Sequence, residues 1–464
     1  MAGFKPAFFM LQVDFFRLVL ILFFLLSFGF CGWCWRDQFA GKLISSCNDG
    51  KILCCTILVM ALLAVLLSPA PFVAFLELSY IVGLLVSSWL VSFASIKIKS
   101  LIAWRVIGGL LILLILMHSV YAMDIISLRH AFMTRHDATP GFSHDRLFSD
   151  LAAGVIPLAV LYSVSRRRLS VSAICLSVPP LAVWWYLLFI SEGRSGILSL
   201  VLAGLVVAVL YRKAVLIPIF VLLLSSVVGL VGWFIFNPMV KRSSGEVFQR
   251  DIRSGSGRWE LWRDAISYAS DNFPFGIGPM QYAGDGIMRG GSAHNLILNT
   301  AAEWGAVLAV ILVAVLVKGG LEVLRRAVVL PDAEKPIYAC LIMSFFAVMI
   351  NLQFSGAHIA PSSALVIIVS AGFVFGYRGE EMNYAPHLKM QYRSYGAIAW
   401  AGVMLVLAYL FYAGLEMYWL SLDSQLLCMQ QEGRLHLFPR FWAQGRLECM
   451  QMVAPDHWLF WSWR

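Results

Sequence analysis

Arg194, Arg258 and His294 combine side-chain type and setting in a way that suits an anionic substrate. Arg194 stands in the connector Ser191-Glu192-Gly193-Arg194-Ser195-Gly196, between two long apolar runs. Gly193 and Gly196 let the backbone approach a partner closely. An arginine held near the membrane costs a few kcal/mol if unpaired, so such residues tend to be functional; the plainer reading is an arginine snorkelling to lipid phosphates. Arg258 opens a segment with an amphipathic helical pattern, and a guanidinium beside exposed helical N–H groups makes a phosphate site. His294 stands where a polar stretch gives way to apolar helix, in Ala293-His294-Asn295-Leu296. An isolated histidine is usually structural, but an imidazole titrates near about 6.5 and suits proton transfer at neutral pH. A positioned base contributes about 10²–10⁴-fold. Arg253 and Arg289, from the same polar stretch, and Asn295 and Glu303, from the helix that follows, are supporting candidates. An anionic leaving group needs cations where charge develops, two arginines can replace a metal there, and a hydroxyl nucleophile needs a base.

Glu303 lies nine residues beyond His294. At ~1.5 Å per residue it sits about 13 Å deeper and on roughly the opposite side of a continuous helix. It cannot orient His294 directly. It shares a stripe with Asn295 and Asn299 and reads as a buried hydrogen-bonding group bracing neighbouring helices; Glu77 is a similar case. His118, His130, His136, His144 and His358 have no metal-ligand spacing, and HExxH, DxD, Walker and GxSxG patterns are absent, so neither a metal site nor a cofactor has support.

These residues need a scaffold, and composition identifies it. The chain is 60% hydrophobic and 13% charged, with a mean hydropathy of +0.80, against about 25% charged in soluble domains. Twelve apolar stretches are long enough to be membrane helices: 15–35, 52–68, 72–94, 101–123, 147–165, 171–190, 195–211, 214–236, 294–317, 336–356, 359–377 and 395–420. They are continuously apolar, which excludes the alternation of an outer-membrane barrel. The expected fold class is therefore an all-α polytopic membrane protein. It divides into helices 1–8 over 1–236, a large loop over 237–293, helices 9–12 over 294–420, and an amphipathic tail over 421–464. The run 15–35 reads as a retained first helix, because no small-x-small cleavage site follows it. The net charge of +9 does not indicate nucleic acid; much of it sits in short loops.

Eighteen positive residues fall in one alternate set of short loops and six in the other. The richer set includes Arg166-Arg167-Arg168, Arg212-Lys213 and Lys318/Arg325/Arg326/Lys335. By the positive-inside rule it is cytoplasmic. The Arg194 connector, the loop 237–293 and the tail 421–464 then share the opposite side. The loop's seven Lys and Arg are nearly balanced by Glu246, Asp251, Glu260, Asp264, Asp271 and Asp285, so it is not a basic patch.

Within the loop, Ser256 can cap a surface helix whose Trp259, Trp262 and Ile266 form an apolar stripe suited to the membrane interface. Arg263 can be neutralised by Glu260 on one helix face. Asn272-Phe273-Pro274-Phe275-Gly276-Ile277-Gly278-Pro279 cannot be helix. The tail, with Trp442, Trp458, Trp461 and Trp463, also suits the interface, and Cys428 and Cys449 within it are candidates for a disulfide in an oxidising compartment. Cys31-x-x-Cys34 has no second pair to complete a metal site.

The ordered motifs resemble those of the O-antigen ligase and polymerase superfamily. The connector 191–196 is similar to that family's Ser-Arg-Gly type connector. Gly257-Arg258-Trp259-Glu260-Leu261-Trp262, Pro274 to Pro279, His294-Asn295-Leu296-Ile297-Leu298 and Glu303-Trp304-Gly305 follow its large-loop signature in order. The chain departs from the pattern with Gly193 before the arginine and Ser195 after it. The resemblance implies a GT-C type glycosyltransferase of a Gram-negative inner membrane with a periplasmic active site. Its donor would be undecaprenyl-diphosphate-linked polysaccharide and its acceptor a hydroxyl of lipid A-core oligosaccharide, in lipopolysaccharide biosynthesis. His294 would be the general base and Arg194 and Arg258 the diphosphate ligands, in an inverting, metal-independent transfer that needs no cofactor. Membrane lipids are the other expected partner.

A polymerase joining repeat units on the same carrier, or a protein O-oligosaccharyltransferase, would share these motifs, and the acceptor stays open on sequence. A polysaccharide or anion transporter is the alternative of another class. A transporter should carry charges at mid-membrane and broken helices. Here the arginines and His294 gather on one face and only Glu77 and Glu303 are deep, which favours an enzyme.

Overall fold

A computed structural model describes residues 17–32, 51–96, 98, 101–129, 139, 142, 145–164, 171–236, 257–283, 291–377, 393–432 and 454–462. Arg253, Arg289, Ser256, Cys34 and Cys449 lie outside the described residues, as does the side chain of Cys428. Among the described residues the structure is helical and contains no strand.

The helices are α1 (Arg17–Phe30), α2 (Lys51–Leu66), α3 (Pro71–Ile96), α4 (Leu101–Arg129), α5 (Asp145–Ala159) and α6 (Leu161–Val164). Then come α7 (Val171–Ile190), α8 (Arg194–Tyr211), α9 (Leu216–Phe236), α10 (Arg258–Asp271) and α11 (Leu296–Trp304). The chain continues with α12 (Ala306–Val329), α13 (Lys335–Asn351), α14 (Pro361–Gly376) and α15 (Arg393–Glu432). Eight segments are long and apolar enough to cross a membrane: 71–96, 101–127, 146–164, 171–190, 194–211, 216–236, 306–329 and 397–420. Shorter apolar helices occupy four of the other expected stretches, at α1, α2, α13 and α14.

Close helix packing rests on small residues, because lipid tails give no hydrophobic drive between helices. Gly154 of α5 abuts Val366 and Val348, and the Ser344 hydroxyl donates to its carbonyl at 2.8 Å. Gly372 and Gly376 of α14 seat against Val91 and Ser95 of α3. α13 is buried along nearly its whole length and packs on α5, α8 and α14. It is the central pillar of the bundle.

One expected span is corrected. The run 294–317 is not a single helix. It breaks at Gly305, whose φ of 94° and ψ of 156° belong to a region essentially reserved for glycine. A side chain there would collide with the carbonyl of Pro274. The cause is the loop, which folds under the break. Ile277 N–H donates to the Ala302 carbonyl at 2.8 Å and Gly278 N–H to the Glu303 carbonyl at 3.1 Å. Carbonyls at a helix end need such donors, and the turn-rich stretch supplies them. α11 is therefore a separate nine-residue helix. Its start is bonded through Leu296 N–H to Leu352 at the end of α13, and its end abuts the start of α12. It links the end of α13 to the start of α12.

Part of the tail folds back onto the same end of the bundle. Trp458 packs against Phe72, Tyr409 and Tyr412, and Leu459 and Phe460 share a buried cluster with Ala70 and Met280. His457 Nε2 lies 3.5 Å from Glu416. Gly305→Ala should lower stability by at least about 2 kcal/mol, from strained backbone plus collision. Thermal unfolding of the purified protein checks this; an unshifted midpoint would show that the break is not needed.

Candidate functional site

The site is built where helix ends converge. Glu303 is fully buried, and both its oxygens are used. Oε1 accepts from Tyr282 N–H at 3.0 Å and Oε2 from Asn299 Nδ2 at 2.9 Å. Asn299 Oδ1 in turn accepts from Ala293 N–H at 3.1 Å. A carboxylate that cannot reach His294 thus holds the residue before it, through one intermediary. The two bonds to Glu303 brace the loop and its own helix.

Asn295 caps α11: Oδ1 accepts from Leu298 N–H at 2.9 Å, while Nδ2 donates to the Gln353 carbonyl at 3.0 Å. His294 is therefore pinned on both sides. Its own N–H donates to Ser292 Oγ at 3.4 Å, and its φ is 50°. A left-handed backbone in a non-glycine residue costs of order 1–3 kcal/mol and persists only where the surroundings over-determine it. The imidazole lies against Gly356; a Cβ there would sit 3.2 Å from Nδ1. The ring is half-buried at the turn that follows α13.

Arg194 is the first residue of α8 and is exposed. Gly193 and Gly196 do permit a close approach, but to α5: a side chain at either would strike Ser149. Ser149 Oγ also donates to the Gly193 carbonyl at 3.4 Å. The contact brings Arg194 beside the first turns of α5, which carry Arg146 and Asp150.

Arg258 is the first residue of α10. The N-cap residue is Gly257 at φ 75°, which has no side chain to cap with; the expected cap Ser256 lies outside the described residues. α10 packs on α11 through Leu261, Ala265 and Tyr268, which meet Tyr282, Ala293, Leu298 and Ala302. That stripe, not Trp259 and Ile266, is its buried face. Tyr282 Oη donates to the Leu261 carbonyl at 2.7 Å and locks the two parts together. Among the described residues no ion pair joins Arg263 to Glu260.

Burial lowers the Arg258 guanidinium below its ordinary range, and the positive charges of Arg146 and Arg194 lower it further, with Asp150 opposing them. Arg194 and Arg258, 64 positions apart in sequence, thus share one field with a third arginine. On sequence alone Arg146 is only a loop charge. The available signal was its i,i+4 spacing from an acid inside an apolar helix. Asp150 is buried and accepts from Asn351 Nδ2 at 2.7 Å. That bond leaves Asn351 Oδ1 buried with no partner, and Gln353 Oε1 is in the same state. Buried acceptors are nearly always satisfied, so both are suited to a ligand hydroxyl. Among the described residues no three His, Cys, Asp or Glu side chains cluster as metal ligands.

Asn299→Asp replaces the bond to Glu303 by two facing carboxylates. We expect a loss of about 2–3 kcal/mol in stability that shrinks as pH is lowered, because one shared proton restores the bond. Unfolding midpoints at two pH values check this; a deficit that does not vary with pH would contradict the geometry.

No curated protein matches the chain in sequence. Residues 179–313 match the family model described as O-antigen ligase, a segment that contains Arg194, Arg258, His294, Asn299 and Glu303 but neither Asp150 nor Asn351. The chain thus carries a segment similar to the O-antigen ligase family, set in a helical scaffold with eight segments long and apolar enough to cross a membrane.

Proposed function

We propose that this protein transfers a polysaccharide from undecaprenyl diphosphate to a hydroxyl of lipid A-core oligosaccharide, at the periplasmic face of a Gram-negative inner membrane. On this reading the apolar helices make twelve spans of GT-C type. The observation that carries the reading is the convergence of Arg146, Arg194 and Arg258, with Asp150 as the opposing charge that acts on Arg258. Like charges gathered around a half-buried Arg258 are a standing electrostatic cost. A diphosphate relieves it, and guanidinium groups match phosphate oxygens in pairs.

The acceptor oxygen attacks the anomeric carbon from the face opposite the diphosphate. The C–O bond to phosphate breaks with its electron pair going to the leaving group, so the anomeric centre inverts. His294 takes the hydroxyl proton. The arginines stabilise charge that grows on the departing oxygen, where fixed cations act best. The diphosphate already activates the donor, so no nucleotide is required. Asn351 Oδ1 and Gln353 Oε1 are available to sugar hydroxyls beside His294.

Reconstitution with purified lipid-linked polysaccharide and lipid A-core, in chelator, tests the reading. Ligated product should form, and His294→Ala should reduce its rate by about 10²–10⁴-fold with folding retained. Strict dependence on a divalent metal, glycan chains that lengthen on the carrier without capture by lipid A-core, or transport with no covalent product would each overturn it.

A further inference from the structure

α10 has a face that the catalytic reading does not use. Trp259 and Ile266, seven residues apart, are 63% and 58% exposed, and Phe273, just past the helix end, is 68% exposed. At about 100° per residue Trp259 and Ile266 fall in one line along the helix. Arg258 and Arg263 flank that line, one on each side. Glu260, Ser267 and Asp271 fall on the other flank of the helix, where Ser267 Oγ donates to Asp271 Oδ2 at 2.8 Å. The third face, Leu261, Ala265 and Tyr268, is taken by α11 and the loop. The exposed apolar line and the acidic flank are thus separate faces of a helix whose inner side is already packed.

The ends of α10 fix its height. Its first residue shares a field with Arg146 and Arg194, which begin two membrane-length segments, 146–164 and 194–211. Its last turn leads into Pro274, which abuts Gly305 immediately before the 306–329 segment. Fourteen residues at ~1.5 Å each give an axis of about 20 Å. Held at span mouths at both ends, that axis runs across the end of the bundle.

We infer that α10 is a membrane-surface helix whose exposed Trp259–Ile266 ridge, with Phe273 just beyond the helix end, seats among the headgroups of a phospholipid leaflet. Arg263, at the outer edge of the ridge, meets lipid phosphates, and Arg258, at the inner edge, faces the site. Helices of this kind bury their apolar side roughly 5–10 Å into the headgroup boundary, and tryptophan favours that level. The ridge therefore sets Arg258 at the depth of a lipid's phosphates, where a membrane-borne diphosphate enters sideways from the leaflet.

Full-length protein carrying photoreactive benzoylphenylalanine in place of Ile266, or of Glu260 on the acidic flank, tests this. Each is reconstituted into vesicles of phosphatidylethanolamine and phosphatidylglycerol containing a tagged phospholipid and irradiated. Both positions are exposed, so folding is retained. Lipid adduct at position 266 should exceed that at 260 by at least about ten-fold. Equal adduct at both positions, no lipid adduct at 266, or chain-to-chain adduct that rises with protein density would overturn the inference. The vesicles contain neither donor nor acceptor, so the result stands apart from the proposed transfer reaction.

Discussion

Glu303 accepts hydrogen bonds from two segments, through Tyr282 in the loop and Asn299 in its own helix. Because its carboxylate has no access to solvent, losing either donor leaves a buried anion short of a partner, a cost several times that of an ordinary hydrogen bond. That cost ties the loop to α11. Through Asn299 it reaches Ala293, and through the cap at Asn295 the other side of His294 is tied to the turn after α13. The left-handed backbone of His294 is the outcome of these restraints, not a free choice of the chain.

Around this frame the electrostatics are arranged to receive an anion. Three arginines act together, and the one carboxylate that opposes them at Arg258 is itself bonded to Asn351. Each comes from the start of a different helix. A site so charged is stable only because bundle packing holds it, and it is complementary to a compact anion with more than one negative group.

The membrane scaffold is legible in the sequence, because about 20 residues of unbroken apolarity suit little besides a helix in lipid. Arg194, Arg258 and His294 are legible too, as polar residues at the borders of apolar runs. The contacts made across long separations are hidden. The break at Gly305 is not marked in hydropathy, since 294–317 reads as one predominantly apolar run despite Asn295, Asn299 and Glu303; only the loop beneath it forces the glycine's positive φ. Gly193 and Gly196 advertise a close approach but not the identity of the partner, which is Ser149. The buried stripe of α10 is masked because Trp259 and Ile266 are larger than Leu261 and Ala265, and size alone does not decide which face is covered. Arg146 is an ordinary loop charge until α5 is placed beside α8.

The central claim is that Arg146, Arg194 and Arg258 form one diphosphate site, and direct binding of a short-chain prenyl diphosphate tests it. The native protein should bind the diphosphate at least about ten-fold more tightly than the matching prenyl monophosphate, and Arg194→Ala and Arg258→Ala should each erase that preference, a change of about 1.4 kcal/mol or more. Equal affinity for the two ligands, or a preference that survives either substitution, would contradict the account.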